Sequence, residues 1–89
     1  MDSKLKIYKL LTEHLDTIEV KVIDESYKHA NHKKDTQGGH FKALIISNSF
    51  QKMALIDRHK LVYNILEKMM KVEIHALSMQ TLTEEEYNQ

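Results

Sequence analysis

The apolar positions of the chain switch between two periods. In SKLKIYKLLTEHL (residues 3–15), Leu5, Tyr8, Leu11 and Leu15 recur at helical spacing, and Ile7 and Leu10 widen the stripe. Asp2 or Ser3 stands where a side chain can accept the free amides of the first turn. TIEVKVIDE (17–25) then alternates: Ile18, Val20 and Val22 point one way, Glu19 and Lys21 the other, which predicts a strand with one wet face. FKALIISNS (41–49) is apolar on both faces near its centre. Ile45 beside Ile46 predicts a strand covered on both sides. The segment between, SYKHANHKKDTQGGH (26–40), has no periodicity and holds both glycines of the chain. The two strands and this segment read as an antiparallel hairpin with an oversized loop.

The second half repeats the switch. SFQKMALI (49–56) supplies a short helical stretch entered at Ser49. DRHKLVYNILEKMMK (57–71) is the clearest helix, with Asp57 at the N-cap and Val62, Ile65, Leu66 and Met69 as its buried stripe. VEIHALSMQ (72–80) alternates again. Val72, Ile74 and Ala76 share one face, and Glu73, His75 and Leu77 share the other. Thr83, with Glu86 three residues on, forms a capping-box pattern for a short tail helix. The order α-β-β-α-α-β predicts an α+β fold: a three-stranded sheet with helices on one face, as a single domain over residues 1–89.

Composition narrows the function classes. The chain has 89 residues and 42% hydrophobic content, an ordinary globular balance. No apolar run approaches the roughly 18 residues of a membrane span, and the N-terminus lacks a signal-peptide core. Thirteen basic residues balance thirteen acidic ones, whereas a nucleic-acid binder usually carries a clear basic excess. There is no cysteine, hence no disulfide and no thiolate ligand, and there are six histidines. The absence of cysteine fits a reducing compartment, a bacterial cytosol or an organelle matrix. No nucleophile elbow, HExxH helix or spaced-glycine phosphate loop is present, so the reading is non-enzymatic.

Two stretches together are distinctive: GGHFKALIISNSF, and DRHKLVYNIL followed by IHALSMQTLTEEEY. An aromatic after a glycine-containing loop, an Arg-His pair opening a helix, a Tyr four residues past that His and a His-Ala-Leu strand closely resemble the BolA family. DESYKHANH at the end of the first strand is similar too. The resemblance spans almost the whole chain, least clearly the first fifteen residues. It implies a fold like the class II KH domain. It also implies a partner, a monothiol glutaredoxin of the CGFS type, with which BolA proteins form heterodimers, apo or bridging a [2Fe-2S] cluster. Glutaredoxin and glutathione supply the thiolates, and the BolA chain supplies the strand histidine and a second ligand from the loop between the first two strands. The strand histidine carries over onto His75. The loop ligand, Cys or His in the family, carries over onto His29 in YKHA, with His32 as the alternate.

The chemistry is consistent with that inheritance. Imidazole replaces thiolate on one iron of Rieske-type centres. A chain with no thiolate is not expected to hold a stable cluster alone, so the cluster is expected to be shared and the isolated chain to be a monomer or weak dimer. The plainer readings are a water-satisfied strand residue for His75 and a solvated loop residue for His29. His40 is expected to be structural or surface, His14 and Glu13 solvated, and Tyr63 and Phe50 core. Arg58 and His59 are expected to serve as scaffold and interface. An open zinc site from His29, His32 and His75 is a lesser reading. The competing function is a KH-like nucleic-acid-binding transcriptional regulator. Arg58, Lys60, Lys68 and Lys71 give a modest basic face, diluted by Asp57 and Glu67, and the GXXG loop of KH domains is absent.

Overall fold

The structure, a computed structural model, describes residues 2–29 and 38–89, with the side chains of all of these except Lys28 and His29. Helix α1 (Ser3–His14) begins where Asp2 caps it, its carboxylate accepting the Leu5 amide at 2.8 Å. Ile7 and Leu11 are buried on this helix, and Leu15 follows them into the core. Leu5 and Tyr8, expected in the buried stripe, are about half exposed at 54% and 47%. Both sets satisfy helical spacing. Docking of α1 on β1 (Thr17–Asp24) buries Leu11 and Leu15 of the stripe together with Ile7 at its edge, and turns Leu5 and Tyr8 outward.

Strand β1 pairs antiparallel with β2 (Gly39–Ser47), as the hairpin reading requires, with Val22 opposite Ala43. A register shift between Thr17 and Glu19 leaves Ile18 unpaired and exposed, instead of aligned with Val20 and Val22. Strand β2 is central. Its Ile45 and Ile46 are both fully buried on opposite faces, Ile45 within the main core cluster and Ile46 outside it. A single 3-10 turn (Asn48–Phe50), capped by the Ser47 hydroxyl, drops Phe50 into the core.

Helix α2 (Leu55–Ile65) starts three residues earlier than an N-cap at Asp57 implies. Its N-cap is Ala54, which offers no side-chain acceptor, and Asp57 lies in the first turn, where its charge favours the helix dipole without capping. The helix does not run through to residue 71. Leu66 adopts φ −98°, ψ 14°, and the chain restarts as the one-turn α3 (Glu67–Met70). The break keeps Leu66 and Met69 both buried and redirects the chain towards β3 (Ile74–Leu82). Of the expected core aromatics, Phe50 is fully buried, whereas Tyr63 is 40% exposed.

The α2–α3 crossover brings β3 alongside β2 in parallel, giving a mixed three-stranded sheet in the order β1-β2-β3. The Thr83 capping box forms as read: the hydroxyl accepts the Glu86 amide at 3.1 Å, and a Glu86 carboxylate oxygen accepts the Thr83 amide at 2.9 Å. It starts α4 (Glu84–Tyr87), which packs against β2 and β3. Arg58 fastens this tail. Its guanidinium, 8% exposed, donates to both Glu86 carboxylate oxygens at 2.7 and 3.1 Å, to the Thr81 carbonyl at 2.9 Å and, through Nε, to the Met53 carbonyl at 3.1 Å. No helix among the described residues is long and apolar enough to cross a membrane.

Candidate metal centre

The starts of β2 and β3 lie side by side, and the pairing there is irregular. Gly39 stands opposite Ile74, yet the next residue, His40, stands opposite Ala76. His75 is therefore the extra residue of a β-bulge. Bulges re-aim side chains that regular alternation would place elsewhere. One consequence corrects the sequence reading: Ile74 and Ala76 do not share a face, because Ile74 is buried and Ala76 exposed, and Val72 precedes the strand at 70% exposure.

The bulge places the exposed His75 imidazole against that of His40, with ring centroids 5.0 Å apart and planes inclined by 51°. Several contacts fix this arrangement. The Gly39 amide donates to the Glu73 carbonyl at 2.8 Å, stitching the head of β2 to the approach of β3. The His40 amide donates to the Ser26 hydroxyl at 3.1 Å, and the Glu25 amide donates to the His40 carbonyl at 2.8 Å. The Ser26 amide in turn donates to the Asp24 carboxylate at 2.9 Å, and bonding to Ser26 lowers the Asp24 pKa.

Two glycines permit this close approach. Gly38 has φ +79°, in the region that favours glycine, and a Cβ there would lie 2.9 Å from the Val72 carbonyl oxygen and 3.0 Å from the His75 amide nitrogen. A Cβ on Gly39 would meet the Phe41 ring at 2.7 Å and the Ser26 hydroxyl at 2.9 Å. On the other side, Glu73 accepts from Lys6 and Ser3, both at 3.0 Å, which ties the head of α1 to the same turn. These bonds, that from Lys6 first, lower the Glu73 pKa.

Of the residues singled out in sequence, His75 is thus brought to an exposed, structurally special position. His29 closes the 3-10 turn Ser26–His29 that follows β1, but its side chain lies outside the description, and His32 lies outside the described residues. His40, read as structural or surface, is the imidazole the fold sets beside His75. Its signal in the sequence was its place after two glycines at a strand head, which only the bulge on the neighbouring strand makes meaningful. Lys60, Lys68 and Lys71 are exposed on or just after α2 and α3, with Asp57 and Glu67 exposed near them. Arg58 is committed to Glu86 within the fold, and His59 is half-buried.

Among the described residues no three of His, Asp and Glu converge on one point. Among the described residues, His75 offers an exposed imidazole in a chain without thiolates.

This fold and this strand-borne histidine define the class. A family model described as BolA-like protein matches residues 11–86, and the chain belongs to the BolA family. It is similar to SufE-like protein 1, chloroplastic/mitochondrial, of Arabidopsis thaliana, at 37% identity over 84% of the chain, although the match spans only 22% of that relative's length. It is also similar to the DNA-binding transcriptional regulator BolA of Escherichia coli (strain K12), at 29% identity over 92% of the chain and 76% of that protein. The BolA domain of SufE1 from Arabidopsis thaliana superposes with a TM-score of 0.83 at 38% identity, covering 97% of this chain and 98% of that one.

Proposed function

We propose that this BolA-family chain is a non-enzymatic partner of a CGFS-type monothiol glutaredoxin, sharing a [2Fe-2S] cluster in iron–sulfur trafficking or iron regulation in the cytosol or an organelle matrix. His75 is the ligand from β3, and a second histidine comes from the segment between β1 and β2, His29 by family pattern with His32 as the alternate. The observation that carries the reading is the exposed His75 imidazole, set at a bulge at the end of the sheet in a chain without a single cysteine. Such a donor contributes one neutral ligand and leaves the thiolates to the partner and glutathione. Imidazole in place of thiolate lowers the negative charge around the irons and raises the reduction potential. The test mixes the chain with a monothiol glutaredoxin, glutathione, iron and sulfide under anaerobic conditions. A heterodimer is expected, with a visible spectrum distinct from that of the glutaredoxin homodimer. A mixture that leaves only the homodimer spectrum overturns the reading.

The second reading is transcriptional regulation through DNA. Its support is the similarity to the Escherichia coli regulator and the exposed Lys60, Lys68 and Lys71. Zero net charge weighs against it, because phosphate neutralisation supplies much of DNA affinity.

A further inference from the structure

Strand β1 lies at one end of the sheet order β1-β2-β3 and has a strand neighbour on one side only. Alternate amides and carbonyls along its outer side therefore have no sheet partner among the described residues, which makes that side a template for a further strand. At the other end of the sheet, two β3 carbonyls already accept from α2 side chains, Thr81 from Arg58 at 2.9 Å and Leu77 from the Tyr63 hydroxyl at 3.4 Å.

Two features beside the β1 edge point to what pairs with it. The first is charge. Glu19 and Lys21 flank Val20 on the face turned from the core, and they bond to each other at 3.4 Å. A two-fold axis perpendicular to the sheet pairs two such edges antiparallel, with residues of the same face opposite each other. Centred on Val20, this pairing sets Glu19 opposite Lys21 of the second copy, and Lys21 opposite its Glu19. Centred on Lys21 instead, it would set lysine against lysine. Opposite charges across a strand pair stabilise it and like charges oppose it. The edge is thus complementary to itself in one register.

The second feature is the outer flank of α1. Ile7 and Leu11 face the core, and Lys6, Lys9, Leu10 and Glu13 line a groove against Met69 of α3. At 3.6 residues per turn, Leu5 and Tyr8 fall on the remaining flank, turned away from α3 and towards the outer edge of β1, on which α1 packs. Both are about half exposed, as are Ile18 and Ile23 of β1, so apolar surface gathers along this one edge. Two-fold pairing keeps the helices of both copies on one face, and the two flanks approach each other across the axis. We propose that β1 pairs antiparallel with β1 of a second copy in the Val20-centred register, joining the two sheets into one, with the Leu5–Tyr8 flanks of α1 in contact. The edge lysine and the irregular pairing at Thr17–Glu19 are features that restrain edge pairing, so the dimer is weak and reversible. His75 stands on β3, across the sheet from this surface.

The experiment is sedimentation of the full chain alone, from low micromolar to near-millimolar concentration. A reversible monomer–dimer equilibrium is expected. Lys21→Glu and Glu19→Lys each set like charges opposite each other, at two places in the dimer, and are each expected to weaken self-association about tenfold or more. Mixed in equal amounts, these two variants present lysine opposite glutamate throughout and should associate with each other at about the wild-type affinity. The double change Glu19→Lys with Lys21→Glu should self-associate likewise. Tyr8→Glu, which brings like charges together across the axis, should weaken the dimer. Thermal melts of each variant establish folding. If a single variant does not fold, the double change decides, together with NMR contacts between labelled and unlabelled wild-type copies at Val20 and Tyr8. A chain that stays monomeric throughout overturns the proposal. Self-association that Lys21→Glu leaves unchanged also overturns it, as do folded single variants that fail to associate when mixed. Failure of the glutaredoxin mixture leaves this test intact, because neither glutaredoxin nor cluster enters it.

Discussion

At the scale of the residue, His75 shows how a fold can lift one side chain out of its periodic place. A regular strand would alternate it with buried neighbours. The bulge sets the exposed ring beside His40, and its exposure means that its replacement should disturb little packing. His75→Ala is expected to change stability by no more than about half a kcal/mol, as surface substitutions do, and to abolish the distinct heterodimer spectrum. His75→Cys is expected to keep a cluster with an altered spectrum, because thiolate is a competent ligand for iron. Chemical denaturation and visible spectroscopy check both expectations. An Ala variant whose mixture keeps the wild-type spectrum would remove His75 from the ligand set.

At the scale of the element, the head of β3 depends on a glycine pair in another strand's approach. Gly38 needs its positive φ and has backbone, not a flexible side chain, where a Cβ would go. Gly38→Ala is expected to cost about 1–2 kcal/mol, since strain in the left-handed region adds to the steric push. It should also part the Val72–His75 turn from β2. Loss of the NMR contact between the His40 and His75 rings, with the rest of the sheet intact, is the measurement. Gly39→Ala is expected to perturb less, because the obstructing groups are the far edge of the Phe41 ring and a serine hydroxyl, both of which can shift.

At the scale of the whole molecule, the Arg58–Glu86 pair joins α2, β3 and α4. Bonding from Arg58, first among its causes, holds the Glu86 carboxyl down to about 2, against an ordinary value of 4.5. A carboxyl whose pKa is depressed by folding adds stability that is complete above its unfolded value and lost as pH falls towards the folded one. Stability is therefore expected to decline between about pH 4.5 and 2, with Glu73 and Asp24, also lowered, acting in the same direction. Glu86→Gln should be less stable at neutral pH and show a shallower acid decline, read from thermal melts across pH. Arg58→Met should cost a few kcal/mol, because the Thr81 and Met53 carbonyls lose their donor as well. Lys68→Glu with Lys71→Glu, both off the buried stripe, should fold normally. A salt-dependent, sequence-specific DNA shift that those changes abolish would favour the regulator reading. The isolated chain is expected to stay colourless after anaerobic incubation with iron and sulfide.

The sequence by itself determined the order of elements, the doubly covered centre of β2 at Ile45 and Ile46 and the Thr83–Glu86 box, and it narrowed the first cap to Asp2 or Ser3, because these depend on neighbours within a turn or along one strand. The composition determined that this chain offers no thiolate of its own, and the His-Ala-Leu strand singled out His75 as a candidate. What periodicity left open was which edge of the widened stripe of α1 faces inward, as buried Ile7 beside exposed Leu5 and Tyr8 shows, since only docking on the sheet decides it. The break at Leu66 and the exposure of Tyr63 followed from the need to turn the chain back onto the core. The burial of Arg58 required Glu86, 28 residues away, to arrive at the same corner. The His40–His75 pair was decided only by tertiary structure. The two residues lie 35 positions apart, on strands whose parallel register slips by one residue where they meet, and no local pattern encodes that slip.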